Sequence, residues 1–302
     1  MNLIQNLIQS VYFRGFSVAS QAIRQNKMLV LGIILLQTMM IAAVVGIFFN
    51  YQVKIIGNAQ QIIQPIQTAN YNIKELQGGQ PFIQDIFAVH QSYLALKKNV
   101  LQLAAILLGL YFTIQGALWV VTQHLLHHGT WKQAGQRWLK HSIASAVLFG
   151  PYFLASFFII KNLVLRGTDL ASFSTITKNL AIALGVWYYF SLVAFALTNT
   201  TSWKRFVQHW FNLAISRIYQ TIFVVVTIAA VIGATLYLSY LTIMQTDSLL
   251  LMIGALLLFM AALVCSRIFW VAALHALLAQ GESAPGEFGG HHQRSHYGNN
   301  HS

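Results

Sequence analysis

Acidic residues are nearly missing from this chain: six Asp and Glu among 302 residues, with charged residues of either sign at only 8%. Soluble domains carry about a quarter of their residues as charges, so a soluble enzyme built on carboxylate clusters is excluded for the chain as a whole. Cys265 is the single cysteine, which leaves no intramolecular disulfide framework and no multi-cysteine metal site. With only four prolines, a Pro-rich disordered protein is excluded as well. What is abundant is apolar: 57% hydrophobic residues and a mean hydropathy of +0.60. That is the composition of an integral membrane protein.

Runs free of Asp, Glu, Lys, Arg and His cover residues 28–49, 99–123, 142–160, 179–200, 218–245 and 249–266. Each reaches the roughly 17 to 25 residues that a helix needs to cross about 30 Å of hydrocarbon. Unpaired backbone amides are costly in lipid and no ten-residue alternating pattern is present, so the runs are helices and not barrel strands. The predicted fold class is all-α, a six-transmembrane-helix bundle with interfacial amphipathic helices and an outer helical hairpin at 50–98. The first apolar run starts at Met28 and has no small-residue cleavage site after it, so it should remain as the first span. Pro65 should kink or break the first arm of the hairpin, whose arms are separated by Gly78-Gly79-Gln80-Pro81. The short link 245–248 makes spans five and six antiparallel neighbours. Residues 1–27 carry the stripe Leu3, Ile4, Leu7, Ile8 and Val11, which predicts a helix lying on the inner surface. Residues 28–279 form the membrane domain, and the Gly/His-rich tail 280–302 should be disordered.

Eleven of the 18 basic residues fall on the side of the N-terminus and seven on the other. The bias places both termini in the cytoplasm and the protein in a bacterial cytoplasmic (inner) membrane. A net charge of +12 is compatible with nucleic-acid binding, but the cations are scattered at helix ends and form no stripe with interleaved aromatics. They read as orientation signals and contacts to anionic lipids, so the bilayer is the first partner, with a protein partner or a homo-oligomer beside it.

Two connections repeat at an offset of 72 residues: Trp131, Lys132, Gln136, Arg137 and Trp138 in one, Trp203, Lys204, Gln208, His209 and Trp210 in the other. Tryptophans seven apart share a helix face, where their rings suit the headgroup layer while Lys132 and Lys204 reach phosphates. Residues 16–27 play the same part before the first span, giving a unit of one amphipathic helix and two spans used three times. Interfacial anchoring is the simpler reading; a pseudo-symmetric bundle with a path between repeats is the functional one. With Gly15-Phe16-Ser17 leading to Arg24-Gln25-Asn26-Lys27, and with segments 131–140 and 203–212, the layout of residues 10–280 resembles a family of uncharacterised six-span membrane proteins of bacteria and archaea, a domain of unknown function. The resemblance implies a fold and a location, and carries no catalytic residues.

Candidate chemistry is sparse. His124, His127 and His128 form an H-x-x-H-H pattern that resembles one histidine box of membrane di-iron desaturases and hydroxylases. A di-iron site needs several boxes, whereas His141, His209 and His275 stand alone, so imidazoles at a span end are expected and no metal or other cofactor. The tail residues His291, His292, His296 and His301 offer no fixed ligand geometry. Neither a G-x-x-x-x-G-K-[ST] loop nor a G-x-S-x-G elbow is present, so ATP-driven transport by this chain alone and serine hydrolysis are unsupported. The first five runs hold no charge, which argues against ion coupling. Arg267, directly after the sixth, reads as the inner interface, with 268–279 an amphipathic extension; the alternative is a buried, paired arginine. The reading ranked first is a non-enzymatic scaffold or assembly component of a membrane complex. The second is a carrier or permease for a neutral or lipid-like solute, with a pocket at Gly150, Pro151, Trp187, Tyr188 and Tyr189. A membrane metalloenzyme using the His124 box ranks third.

Overall fold

The computed structural model describes residues 2–68, 86–127, 133–165, 170–199 and 202–283. They are helical almost throughout, with no strand among them: α1 Asn2–Gln25, α2 Lys27–Thr68, α3 Ile86–Leu110, a π-helical turn Tyr111–Gln115, α4 Gly116–His127, α5 Ala134–Leu165, α6 Leu170–Ala196, α7 Trp203–Phe211, a second π-helical turn Asn212–Ser216, α8 Ile218–Gln245 and α9 Leu249–Ser283. Five stretches of the described residues are long and apolar enough to cross a membrane: Lys27–Pro65, Ile86–Leu126, Ser174–Ala196, Ile218–Gln245 and Leu249–Gln280. The expected span at 142–160 falls inside α5, part of which lies outside the described side chains.

The helices pair into antiparallel hairpins. At 42 residues α2 is about 63 Å long, twice the hydrocarbon thickness, so its apolar first half and Gln-rich second half form one rod. Pro65 breaks no helix in its middle; it sits in the last turn of α2, which ends three residues later, and the Gly78 to Pro81 turn lies outside the described residues. Ser92 Oγ in α3 donates to Gln61 Oε1 in α2 at 3.0 Å, tying the arms together. The Tyr152 hydroxyl of α5 donates to the Leu180 carbonyl of α6 at 2.7 Å. In the third hairpin, 246–248 leave no slack between α8 and α9, and Ser239 Oγ donates to the Ala255 carbonyl at 2.9 Å.

Helix α9 is the hub, packing against α1, α2, α4, α6 and α8. The core gathers along α9 from Val264 onward, where Val264, Ile268, Val271, Leu274 and Leu277 meet Leu118 and Trp119 of α4 and Val193, Phe195 and Leu197 around the end of α6. Toward the 246–248 link, Leu236, Tyr237, Leu249, Leu250 and Leu251 are exposed, as are Met39 and Phe49 on α2 and Val147 and Leu154 on α5. So much exposed apolar surface is an aggregation hazard in water and ordinary in lipid. The three hairpins are thus joined at one end and bury less of each other at the opposite end.

The repeated unit is realised in three different ways. Its first copy breaks at Asn26, between α1 and α2; its second, α5, runs unbroken; its third is interrupted by the π-helical turn and Arg217, whose guanidinium donates to the Leu277 carbonyl of α9. Helix α1 turns a stripe of small residues, Gly15, Ala19 and Ala22, onto α9, close enough that a Cβ at Gly15 would lie 3.0 Å from Ala273 Cα. Small residues let helix backbones approach in this way. The first π-helical turn ends at Gly116, where a Cβ would fall 2.9 Å from the Trp138 ring, and the Trp138 indole donates to the Thr113 carbonyl at 3.3 Å. Helix α9 runs to Ser283, four residues into the segment expected as tail; the rest of the tail is outside the described residues.

Candidate functional site

The helix that follows Arg267 is not the amphipathic extension expected of it. Arg267 stands 18 residues from the start of α9 and 16 from its end, near the centre of a rod about 52 Å long. An amphipathic extension after it would need a polar side, yet Ile268, Trp270, Val271, Ala272, Ala273, Leu274, Ala276 and Leu277 are all buried, covering every face of the helix. Polarity patterns mark interfacial helices; the absence of one marks a core helix. That uniformity, together with the long apolar stretch after Arg267, is the sequence signal for a buried arginine.

Its surroundings come from all three hairpins. Arg267 Nη2 donates to Gln37 Oε1 of α2 at 2.6 Å, and its guanidinium lies over the Trp119 ring of α4, 5.6 Å from the centroid. Gln37 is itself 5% exposed, so it offers the guanidinium a fixed acceptor and no route to bulk water. Arg267, Gln37 and Trp119 line a cavity of about 240 Å³, closed by Tyr188 and Leu192 of α6, Ile228 of α8 and Trp270 of α9. Trp270 is held there by its indole, which donates to the Leu192 carbonyl at 3.0 Å. On the far side of Trp119, fully buried His141 stacks at 6.5 Å between ring centroids and also packs on Phe195 at 4.4 Å. Arg267 Nη1, Trp119 Nε1 and both His141 ring nitrogens are buried with no hydrogen-bond partner among the described residues.

A charge placed at the centre of a membrane helix costs about 2.5 to 3.5 kcal/mol on insertion scales and more by other accounts. A hydrogen bond to a charged group contributes about 1.5 to 3 kcal/mol, and a desolvated cation–π contact about 2. Gln37 and Trp119 therefore offset much of the cost of burying Arg267, but neither supplies a negative charge.

A second, larger hollow adjoins this one. A groove of about 630 Å³ runs between α1 and the α8–α9 hairpin, walled by Phe13, Phe16, Ile23, Val231 and Phe269, with Arg24 and Cys265 also on it. The groove and the Arg267 cavity share Ile228 and Ser266 in their walls.

The residues singled out from the sequence are placed as follows. Of the pocket set, Tyr188 lines the Arg267 cavity; the Trp187 indole donates to the Leu148 carbonyl, and the Tyr189 hydroxyl donates to the Ala214 carbonyl at 3.2 Å. Gly150 has open space around it and Pro151 is exposed, inside an α5 that continues through both. Trp131 and Lys132 lie outside the described residues. Trp203 and Lys204 are exposed on α7, while the Trp210 indole donates to the Phe190 carbonyl at 3.0 Å. Trp138 and Trp210 thus both spend their N–H groups on carbonyls of neighbouring helices. Near the start of α5, Arg137 donates to Gln133 Oε1 at 3.1 Å; burial lowers its pKa, and burial followed by repulsion from Arg137 lowers that of Lys140. His124 lies in α4, His128 and the His127 side chain are outside the described residues, and those residues contain no group of three His, Cys, Asp or Glu able to hold a metal. Gln37, Trp119, His141 and Gln123 carry no signal in the sequence, because a lone polar residue in an apolar run has no pattern. Gln123 closes the end of α6, donating to the Phe195 carbonyl at 2.9 Å and to Thr198 Oγ1 at 2.6 Å.

No family model matches the chain, and no curated protein or solved structure matches it.

Proposed function

We propose that the protein is a membrane-embedded carrier or binding protein for a lipid-like solute. One observation carries the reading: a mostly apolar cavity with Arg267 and Gln37 in its wall, formed where three apolar hairpins converge, next to an apolar groove. A head that hydrogen-bonds and a tail that does not is what such a pair of hollows accommodates. In this reading α5 provides a sixth span, both termini are cytoplasmic in a bacterial inner membrane, and the Trp131/Trp138 and Trp203/Trp210 segments sit at the inner headgroup layer. Passage needs no metal, nucleotide or covalent step. The hairpin of α2 and α3 supports a second reading, a scaffold or assembly component, because its arms extend well past a bilayer's thickness. Purification from native membranes and then mass spectrometry separates the two. A near-stoichiometric amphiphile that survives washing is the expected result. Only bulk lipid, together with a stoichiometric protein partner, would replace the carrier with the scaffold.

A further inference from the structure

We propose that the group recognised beside Arg267 is an oxyanion, a carboxylate or phosphate ester at the head of an amphiphile. The inference rests on the carrier reading and names its substrate class.

Charge decides the class. Arg267 is half-buried in the bundle with its Nη1 fully covered, and the partners that hold it, Gln37 and Trp119, are neutral. Among the described residues no carboxylate side chain reaches it. Asp247 lies beyond the far end of α9, 20 residues away, and Glu282 is 15 residues further along the same helix, about 22 Å. Buried charges in proteins are paired, and an unpaired one costs several kcal/mol even after relaxation.

The donors left over point the same way. Gln37 occupies Nη2 and leaves Nη1 without a partner, and the Trp119 indole N–H on the same cavity wall has none either among the described residues. A neutral hydroxyl or amide can meet these donors but cannot neutralise the guanidinium. An oxyanion does both, and charge-assisted hydrogen bonds of this kind are about twice as strong as neutral ones. Any acidic amphiphile in the membrane would satisfy the chemistry, as would a free anion from water, and the two sources differ in whether the tail contributes.

The test is equilibrium binding to the purified full chain in maltoside detergent, with labelled oleate, labelled oleyl alcohol and unlabelled inorganic phosphate as competitor. Oleate should bind saturably at about one per chain and at least tenfold more tightly than oleyl alcohol, and Arg267→Gln should remove that preference by weakening oleate far more than the alcohol. Arg267→Lys, which keeps the charge without the fork, should fall between. Oleate, and not oleyl alcohol, should also raise the melting temperature of the unmodified protein, a readout independent of any variant's folding. Equal affinity for acid and alcohol, or oleate binding indifferent to Arg267→Gln, overturns the oxyanion assignment and leaves the carrier standing. Saturable binding of neither overturns both. Displacement of oleate by millimolar phosphate keeps the oxyanion site but assigns it to a free anion, which sinks the lipid-like carrier.

Discussion

Replacing Gly15 tests whether α1 belongs to the bundle or rests on its surface. An alanine Cβ there would lie 3.0 Å from Ala273 Cα and 3.3 Å from its Cβ and amide nitrogen, where ordinary contact begins at 3.4 Å. The nearest atom is backbone, so no side chain can swing away and α1 must lift by a few tenths of an ångström. Such overpacking costs about 1 to 3 kcal/mol, partly because the neighbouring Ala19 and Ala22 contacts stretch at the same time. Alanine also favours the helix over glycine by about 1 kcal/mol, which masks part of the loss. Gly46→Ala isolates that term, since nothing lies within 4 Å of its Cβ. The difference between the two variants should therefore be about 1 to 3 kcal/mol, with Gly15→Leu well beyond it. A single cysteine at Ala22, 7% exposed on the α1 stripe against α9, reports the result in a Cys265→Ser background. At 1.4 kcal/mol per factor of ten, Gly15→Ala should raise the undocked fraction about 5- to 150-fold and accelerate maleimide labelling of that cysteine accordingly. Unchanged labelling and melting temperature in Gly15→Leu would show that α1 does not dock there.

Two further outcomes are expected. Gln123→Leu removes the donor that closes the end of α6 and leaves the Phe195 carbonyl only the Thr198 hydroxyl, which donates to it at 3.1 Å, so it should cost about 0.5 to 1.5 kcal/mol in thermal unfolding; a loss within error would mean that the Thr198 contact or water replaces the amide. For topology, single cysteines placed at Ser283 and Gln80 in a Cys265→Ser background should label from the cytoplasm and from outside respectively, and the reverse pattern would invert the orientation.

The all-helical class and the long apolar helices were legible because hydropathy over a 20-residue window needs no tertiary information. The tight link between α8 and α9 was legible for the same kind of reason, since three residues permit only an antiparallel neighbour. Helix ends were harder. The expected fourth span runs to residue 200, but α6 stops at Ala196, where Gln123 from a distant part of the chain takes the Phe195 and Ala196 carbonyls. No local signal encodes a cap that arrives from 72 residues away. The apparent pocket at Gly150 and Pro151 fails to include most of its members because adjacent residues on α6 point different ways: Tyr188 to the cavity, Trp187 to the Leu148 carbonyl of α5, Tyr189 to the Ala214 carbonyl.

Arg267 shows where span arithmetic misleads. Eighteen apolar residues ending at an arginine cover about 27 Å, which fits a bilayer and invites the conclusion that the helix has reached water. The same 18 residues also fit half of a helix that is longer than the bilayer is thick, and only the residues after the arginine distinguish the two. Between Arg267 and Gln280 the sole titratable residue is His275, and the rest would leave an interfacial helix with no side to turn toward water. The fold removes the ambiguity by wrapping that segment with α1, α4 and α6, which moves the arginine from a boundary to the centre of the rod. A cation at a boundary orients a protein. A cation at the centre, held by the neutral Gln37 and Trp119 and reached by no carboxylate among the described residues, is what the proposed oxyanion would neutralise.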